Sequence, residues 1–248
     1  MQQVDIGSID TLILCGGKGS RLQSIIPDKP KILANIGDSP FIDYLLTYLE
    51  REGIKRVILC TGYKHDQIEK WVYSSYDGNL EIILSKEKEP LGTAGAVKNA
   101  QELIHSDNFL IINGDTFTAL NYHEFVKSYF AMGAIGLLAL KKSKNKTEGY
   151  GNVEIDSMNR IVAFIEKSSN FEKNSSCGLI NAGIYLFNKV FFNVIPPKIK
   201  VSIESDTMQL IIKEYKNSIY GFFFEGSFID IGTPLNYHRA HNLLQKYL

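Results

Sequence analysis

Thr11–Leu22 reads Thr-Leu-Ile-Leu-Cys-Gly-Gly-Lys-Gly-Ser-Arg-Leu, an apolar run that breaks off into glycine. Thr11–Cys15 has the length and content of a strand, and its apolar residues are continuous rather than alternating. A strand of that kind is buried on both faces, as in a parallel sheet covered by helices. In such sheets ligands sit beyond the carboxyl ends of the strands. That places Cys15, Gly16, Gly17, Lys18, Gly19, Ser20 and Arg21 where a ligand would bind. Three glycines let backbone N–H groups approach a phosphate, and Arg21 offers a permanently charged, two-pronged clamp. Two familiar fingerprints fail here. A dinucleotide GxGxxG starting at Gly17 would need glycine where Leu22 stands, and GxxxxGK[ST] would need glycine where Leu12 stands. A tight surface turn remains the plain alternative for the glycines.

The same rhythm continues outward. Strands are predicted at Arg56–Thr61, Glu81–Leu84, Phe109–Ile112 and Ile135–Leu140. Helices are predicted at Phe41–Arg51, Asp66–Tyr73, Thr93–Ile104 and Tyr122–Ala131. From Tyr150 the pattern changes. Asn152–Ile155 and Ile161–Ile165 read as a hairpin, Ile180–Phe187 as a strand and Ile203–Tyr215 as a helix. Tyr220–Phe224 and Phe228–Ile231 read as short strands before a closing helix, Leu235–Tyr247. The fold class is therefore α/β: a Rossmann-like, mixed, mainly parallel sheet flanked by helices, with a small antiparallel elaboration. Lys141–Lys146 reads as a loop, and Phe222, Phe223 and Phe224 as core rather than interface.

The chain has 248 residues, 27 basic and 27 acidic side chains and so zero net charge, which argues against gripping nucleic acid. Cys15, Cys60 and Cys177 are too few and scattered for a disulfide framework, and no apolar run reaches the ~18 residues of a membrane span. With no signal peptide visible, the expected compartment is the cytoplasm, without membrane association. His238 and His241 stand three apart on the closing helix, but no third ligand is near in sequence, and a structural role is favoured. Charge is nevertheless concentrated. Lys18, Arg21, Lys29 and Lys31 lie within one short segment stiffened by Pro27 and Pro30, with Asp28 as its one acid. A strand, a glycine loop and a basic segment suit a polyphosphate; a solvated loop is the alternative for the lysines.

The stretch LCGGKGSRL followed by Pro30-Lys31 resembles the sugar-1-phosphate nucleotidyltransferase family. The resemblance runs over essentially the whole chain. It includes Glu89-Pro90-Leu91-Gly92-Thr93-Ala94-Gly95, Asn113-Gly114-Asp115, Glu166-Lys167, Asn181-Ala182-Gly183 and Asp230-Ile231-Gly232-Thr233-Pro234. Ala34 departs from a proline common in relatives, a loop detail. The resemblance implies the nucleotide-diphospho-sugar transferase (GT-A-like) fold over residues 1–248 as one domain. About 1–140 would form the nucleotide half, and about 141–248 the sugar-phosphate-binding elaboration and closing helix.

It also implies the roles. Arg21, Lys31, Asp115 and Lys167 would serve catalysis, with Lys31 and Arg21 on the triphosphate and Lys167 on the sugar phosphate. Cys15, Gly16, Gly17, Lys18, Gly19, Ser20, Gly92 and Thr93 would bind the nucleotide. Gly114, Gly151, Glu166, Asn181 and Gly183 would bind the sugar. Asp115 and Asp230 would hold Mg²⁺, the implied cofactor. Other readings stand beside these: a helix N-cap for Asp115 and for Thr93, a turn residue for Asp230, and an exposed ion pair for Glu166-Lys167. Glu204 and Asp206 match less firmly, since acids at a helix N-terminus explain them equally well.

The implied reaction moves a nucleoside monophosphate from an NTP to a sugar 1-phosphate and releases pyrophosphate. The motif series is most similar to bacterial D-glycero-D-manno-heptose 1-phosphate guanylyltransferases, which favours GTP. Mannose 1-phosphate guanylyltransfer and glucose 1-phosphate uridylyl- or thymidylyltransfer are the near alternatives. A non-catalytic nucleotide or sugar sensor on the same fold, and a nicotinamide oxidoreductase, are the distant ones. The sequence leaves oligomeric state undecided, and a homo-oligomer is compatible with it.

Overall fold

The computed structural model describes residues 5–143, 151–165 and 178–248. The first part of the chain runs β1 (Asp10–Leu14), β2 (Asn35–Ile36), β3 (Ser39–Pro40), α1 (Phe41–Arg51), β4 (Arg56–Thr61) and α2 (His65–Ser74). It continues through β5 (Glu81–Lys86), α3 (Gly92–Asn99), β6 (Asn108–Asn113), β7 (Thr116–Thr118), α4 (Tyr122–Met132) and β8 (Gly136–Ser143). Then come the hairpin β9 (Asn152–Ile155) and β10 (Ile161–Ile165), β11 (Gly178–Asn188), α5 (Met208–Glu214), β12 (Ile219–Phe223), β13 (Phe228–Asp230) and α6 (Pro234–Leu244).

The main sheet has the order β5-β4-β1-β6-β11-β8-β12. Every strand in it is parallel except β11, which runs antiparallel between β6 and β8. The hairpin joins β11 through the pairing of Ile180 with Asn152. Strand pleating explains the continuous apolar runs. Ile13, Leu59, Ile112 and Ala139 face the core beneath α1, α4 and α6, while Leu12, Cys60, Ile111 and Leu140 face the core beneath α3 and α5. Both layers are buried, so both parities must be apolar.

Local chemistry sets the helix ends. Asn121 caps α4 by accepting from the Glu124 N–H, and Gly133, with φ 59°, closes it. Thr233 caps α6 by accepting from the Asn236 N–H, ahead of Pro234 in the first turn. The structure differs from the sequence reading in several places. The helix expected to reach Ile104 stops at Asn99, followed by a 3₁₀ turn at Gln101–Leu103. The helix expected from Ile203 opens with a π turn, Ile203–Thr207, closed by Thr207 N–H to Ser202 C=O at 3.0 Å. The loop expected at Lys141–Lys146 is strand through Ser143, because Lys141 and Lys142 pair with β11; residues 144–150 lie outside the described ones. Lastly β13 leaves the main sheet and pairs with β7, a strand too short to show in the sequence. Phe224 is buried, and Phe222 and Phe223 pack against opposite cores, as expected of core residues.

Candidate active site

The cleft opens at the carboxyl ends of β1, β4 and β6, with a volume of about 740 Å³. Cys15, Gly16, Gly17, Lys18 and Gly19 form one wall, as the sequence predicts. Gly19 has φ 61°, a left-handed conformation that glycine adopts without strain, and it turns the chain into the 3₁₀ turn Ser20–Leu22. A side chain at Gly16 would meet the Glu87 carboxylate at 2.6 Å. Cys15 contributes backbone. Its thiol donates to the Cys60 carbonyl at 3.2 Å, and burial pushes its pKa well up, so it stays a neutral filler.

The opposite wall comes from Gly92, Thr93 and the end of β6. Gly92 has φ 72°, and a Cβ there would stand 2.5 Å from the Val201 carbonyl oxygen. The loop at Val201 lies directly on this turn: Val201 N–H donates to the Leu91 carbonyl at 2.8 Å, and Ala94 N–H donates back to Val201 at 3.0 Å. Gly92→Ala is therefore expected to cost at least ~1–2 kcal/mol for the backbone conformation alone. That corresponds to a fall of about 2–8 °C in melting temperature. A thermal unfolding curve that overlays the wild type would contradict this account of the turn.

Four charged side chains converge where the small β7–β13 ribbon meets the main sheet. Pairing of Asp230 with Thr116, and of the Ile231 N–H with the Asp115 carbonyl at 2.9 Å, brings the two acids together. Asp115 accepts an ion pair from Lys31 at 2.7 Å. A Cβ at Gly232 would stand 2.7 Å from Asp230 Oδ1 and 3.2 Å from both Lys31 Nζ and Arg21 Nη2, so the missing side chain leaves room for these groups to converge. Asp230 is held by the Gly232 N–H at 2.5 Å. Burial, and next the charge of Asp115, raise its pKa, while the Gly232 hydrogen bond, Lys31 and Arg21 act in the opposite direction. Two crowded carboxylates with free oxygen lone pairs form a hard donor set that suits a small divalent cation.

The candidate sugar residues adjoin this cluster. At Gly183, with φ 69°, β11 bulges so that a Cβ would stand 2.5 Å from Asn113 Nδ2. Asn181 N–H donates to the Gly151 carbonyl at 3.1 Å. Gly114, between Asn113 and Asp115, packs on the Leu14 carbonyl. Asn181, Gly183, Gly151 and Gly114 thus belong to one neighbourhood. Glu166 and Lys167 lie outside the described residues.

Ser20 is exposed, and Lys29 bonds Asn35 Oδ1 at 3.1 Å. Arg21, Asp230, Gly151, Asn181 and Gly183, like Ser20, are not among the residues that line the cleft itself. Among the wall residues that sequence reading missed are Glu87 and Lys200, along with Gly62, Tyr63 and Lys88. The signal for Glu87 was faint: an acid at the end of a strand, just before the Glu89–Gly95 motif. Elsewhere among the described residues, His65, Asp66 and Glu69 come close enough to share a cation, but Asp66 is paired with Lys86 and Glu69 with His65. His241 meets Gln245 rather than His238.

Residues 10–247 match the family model described as Nucleotidyl transferase. The chain belongs to the nucleotidyl transferase family. Within that family it is 39% identical to the D-glycero-alpha-D-manno-heptose 1-phosphate guanylyltransferase of Aneurinibacillus thermoaerophilus, covering 97% of this chain and 100% of that one. It is 36% identical to the enzyme of the same description from Campylobacter jejuni, covering 93% and 97%. Among solved structures of the family's fold it is similar to HddC from Yersinia pseudotuberculosis complexed with GMP-PN. That match has TM-score 0.81 and 33% identity, covering 94% of this chain and 98% of that one. No helix among the described residues is long and apolar enough to cross a membrane.

Proposed function

We propose that the protein transfers GMP from GTP to a heptose 1-phosphate, giving a GDP-sugar and pyrophosphate. The observation that carries this reading is the convergence of Arg21, Lys31, Asp115 and Asp230 around Gly232 beside the glycine loop. The near full-length similarity to guanylyltransferases supports the choice of substrates.

The nucleophile is already an anionic phosphate oxygen, so the enzyme needs no general base. Its task is to bring two polyanions together and neutralise the charge that builds up. Glycine-loop N–H groups and Arg21 hold the triphosphate. Lys31, already 2.7 Å from Asp115, gains phosphate as a second anionic partner. Lys167 binds the sugar phosphate, and Asn181, Gly151 and Glu166 orient the sugar. Asp115 and Asp230 would hold Mg²⁺, which supplies Lewis-acid charge neutralisation when bound. The reaction belongs to the cytoplasm, where thiols such as Cys15 and Cys60 stay reduced.

Glu87 supports guanine as the base. Its Oε2 accepts from the Leu91 N–H at 3.1 Å, and its Oε1 lies against Gly16 and Gly62 at the cleft wall. A carboxylate is a pure acceptor. Guanine offers two adjacent donors, N1–H and the 2-amino group, whereas uracil and thymine offer one N–H flanked by two carbonyls that repel a carboxylate. GTP is therefore expected to outrank UTP, dTTP, CTP and ATP when pyrophosphate release is followed with heptose 1-phosphate. In Glu87→Gln the preference for GTP over UTP should fall by roughly tenfold, the value of ~1.4 kcal/mol. A wild-type ranking led by UTP or dTTP would overturn the choice of base.

A further inference from the structure

A chain of hydrogen bonds links the nucleotide wall to the sugar neighbourhood, and all of it converges on one carboxylate. Thr93 Oγ1 donates to Glu204 Oε2 at 3.1 Å while accepting from the Ile203 N–H at 2.7 Å. Ser202 Oγ donates to the same oxygen at 3.0 Å. Tyr185 O–H donates to Glu204 Oε1 at 2.8 Å. The Tyr185 oxygen in turn accepts from Asn181 Nδ2 at 2.6 Å, which leaves Asn181 Oδ1 to accept from the Gly183 N–H at 3.1 Å.

The directions of the hydroxyl bonds follow from Glu204, and the Gly183 N–H, a donor only, agrees with them at Asn181 Oδ1. A carboxylate accepts only, so three hydroxyls must donate to it. Tyr185, having donated, can only accept from Asn181, and this fixes which way the Asn181 amide faces. Burial, and next the charge of Glu204, hold the Tyr185 phenol protonated, so its role as donor persists. Thr93 lines the cleft, and Asn181 accepts from Gly183, whose backbone lies against Asn113 at the end of β6, two residues before Asp115.

We infer that Glu204 is a positioning residue that fixes Asn181 relative to Thr93, and so sets the sugar subsite against the nucleotide subsite. The inference rests on the function proposed above. Glu204 acts through Thr93 and Tyr185 rather than by touching substrate.

Calorimetric binding of mannose 1-phosphate or heptose 1-phosphate to protein saturated with a non-hydrolysable GTP analogue tests this without turnover. Tyr185→Phe cuts the link on the sugar side alone. It should weaken sugar-phosphate binding about tenfold, the worth of ~1.4 kcal/mol for one buried partner lost, and leave nucleotide affinity unchanged. Glu204→Gln places an amide donor where hydroxyls already donate, and should weaken both ligands. The double variant should bind the sugar phosphate no more weakly than Glu204→Gln alone, because the two residues form one path. If Glu204→Gln leaves sugar-phosphate affinity at the wild-type value, or if the two losses multiply, the inference is overturned while the proposed function stands. Should Glu204→Gln fail to fold, Tyr185→Phe and Ser202→Ala carry the test, with unchanged sugar-phosphate affinity in Tyr185→Phe overturning the inference. Wild-type protein that binds neither ligand would sink the proposed function and this inference together.

Discussion

Asp230→Asn is expected to lower turnover by about 10³-fold while raising the melting temperature. Loss of several kcal/mol of charge stabilisation in the transition state accounts for the rate. The stability change follows from the surroundings of Asp230. Burial first, and then Asp115, raise its pKa, and the opposing pull of Gly232, Lys31 and Arg21 does not fully compensate. A carboxyl whose pKa is raised in the folded protein prefers to be neutral, so its charge costs stability at pH values above that pKa. Asparagine is neutral throughout and its amide oxygen can still accept from Gly232. The gain in melting temperature should be largest at neutral pH and shrink as acid neutralises the wild-type side chain. Asp115→Asn should lose turnover to a similar degree without this gain, because it gives up the ion pair with Lys31. Steady-state kinetics and calorimetry on both variants check the pattern. A destabilised Asp230→Asn with wild-type turnover would remove Asp230 from the site.

Asp10→Ala should do the opposite: unfold easily and turn over normally while folded. Asp10 sits at the far end of β1 from the glycine loop and is buried. Burial alone would raise its pKa, but hydrogen bonds from the Ser106 backbone, Arg56 and the His105 backbone outweigh it and leave the pKa lowered. Asp10 accepts from His105 N–H at 2.6 Å and Ser106 N–H at 2.8 Å, and pairs with Arg56, which also donates to the Leu103 carbonyl at 2.9 Å. Removing the carboxylate takes the buried acidic partner from a buried guanidinium, which keeps the Leu103 carbonyl and the exposed Glu81, and leaves two backbone donors unpaired, a loss of about 3–5 kcal/mol. The melting temperature should fall by roughly 6–20 °C. Since the folded pKa is lowered, the wild-type stabilisation is present above the ordinary carboxylate pKa and is lost as pH falls through the lowered one. The gap between wild type and variant should therefore close in acid. A variant within 2 °C of wild type at neutral pH, or one with altered KM, would contradict this separation of fold from site.

The strands and most helices were legible because the sheet is buried on both faces. Arg56–Thr61 and Phe41–Arg51 carry their periods without interruption, and the structure places both elements at those bounds. Elements whose form depends on distant partners were not legible. Thr116–Thr118 is too short to show a period and becomes a strand only because Phe228–Asp230 lies beside it. The π turn at Ile203 depends on the Ser202 carbonyl and on Thr93, which lies far away in sequence. In the site, glycines and acids next to apolar strand ends were readable from type and position. Glu87 was not, because nothing in its neighbours announces that its carboxylate will reach back to Gly16 and Gly62. Nor was the Glu204 network, whose members Thr93, Tyr185 and Glu204 come from three separate segments.

The proposed reaction has this cleft join two phosphates across a pair of acids that would hold a metal. Phosphorus NMR of wild-type protein with GTP, Mg²⁺ and heptose 1-phosphate tests it most directly. GDP-sugar and pyrophosphate signals are expected to grow equally, and a chelator or Asp115→Asn should abolish that growth. Release of inorganic phosphate with GDP in their place, or a spectrum in which GTP and the sugar phosphate persist unchanged, would contradict it.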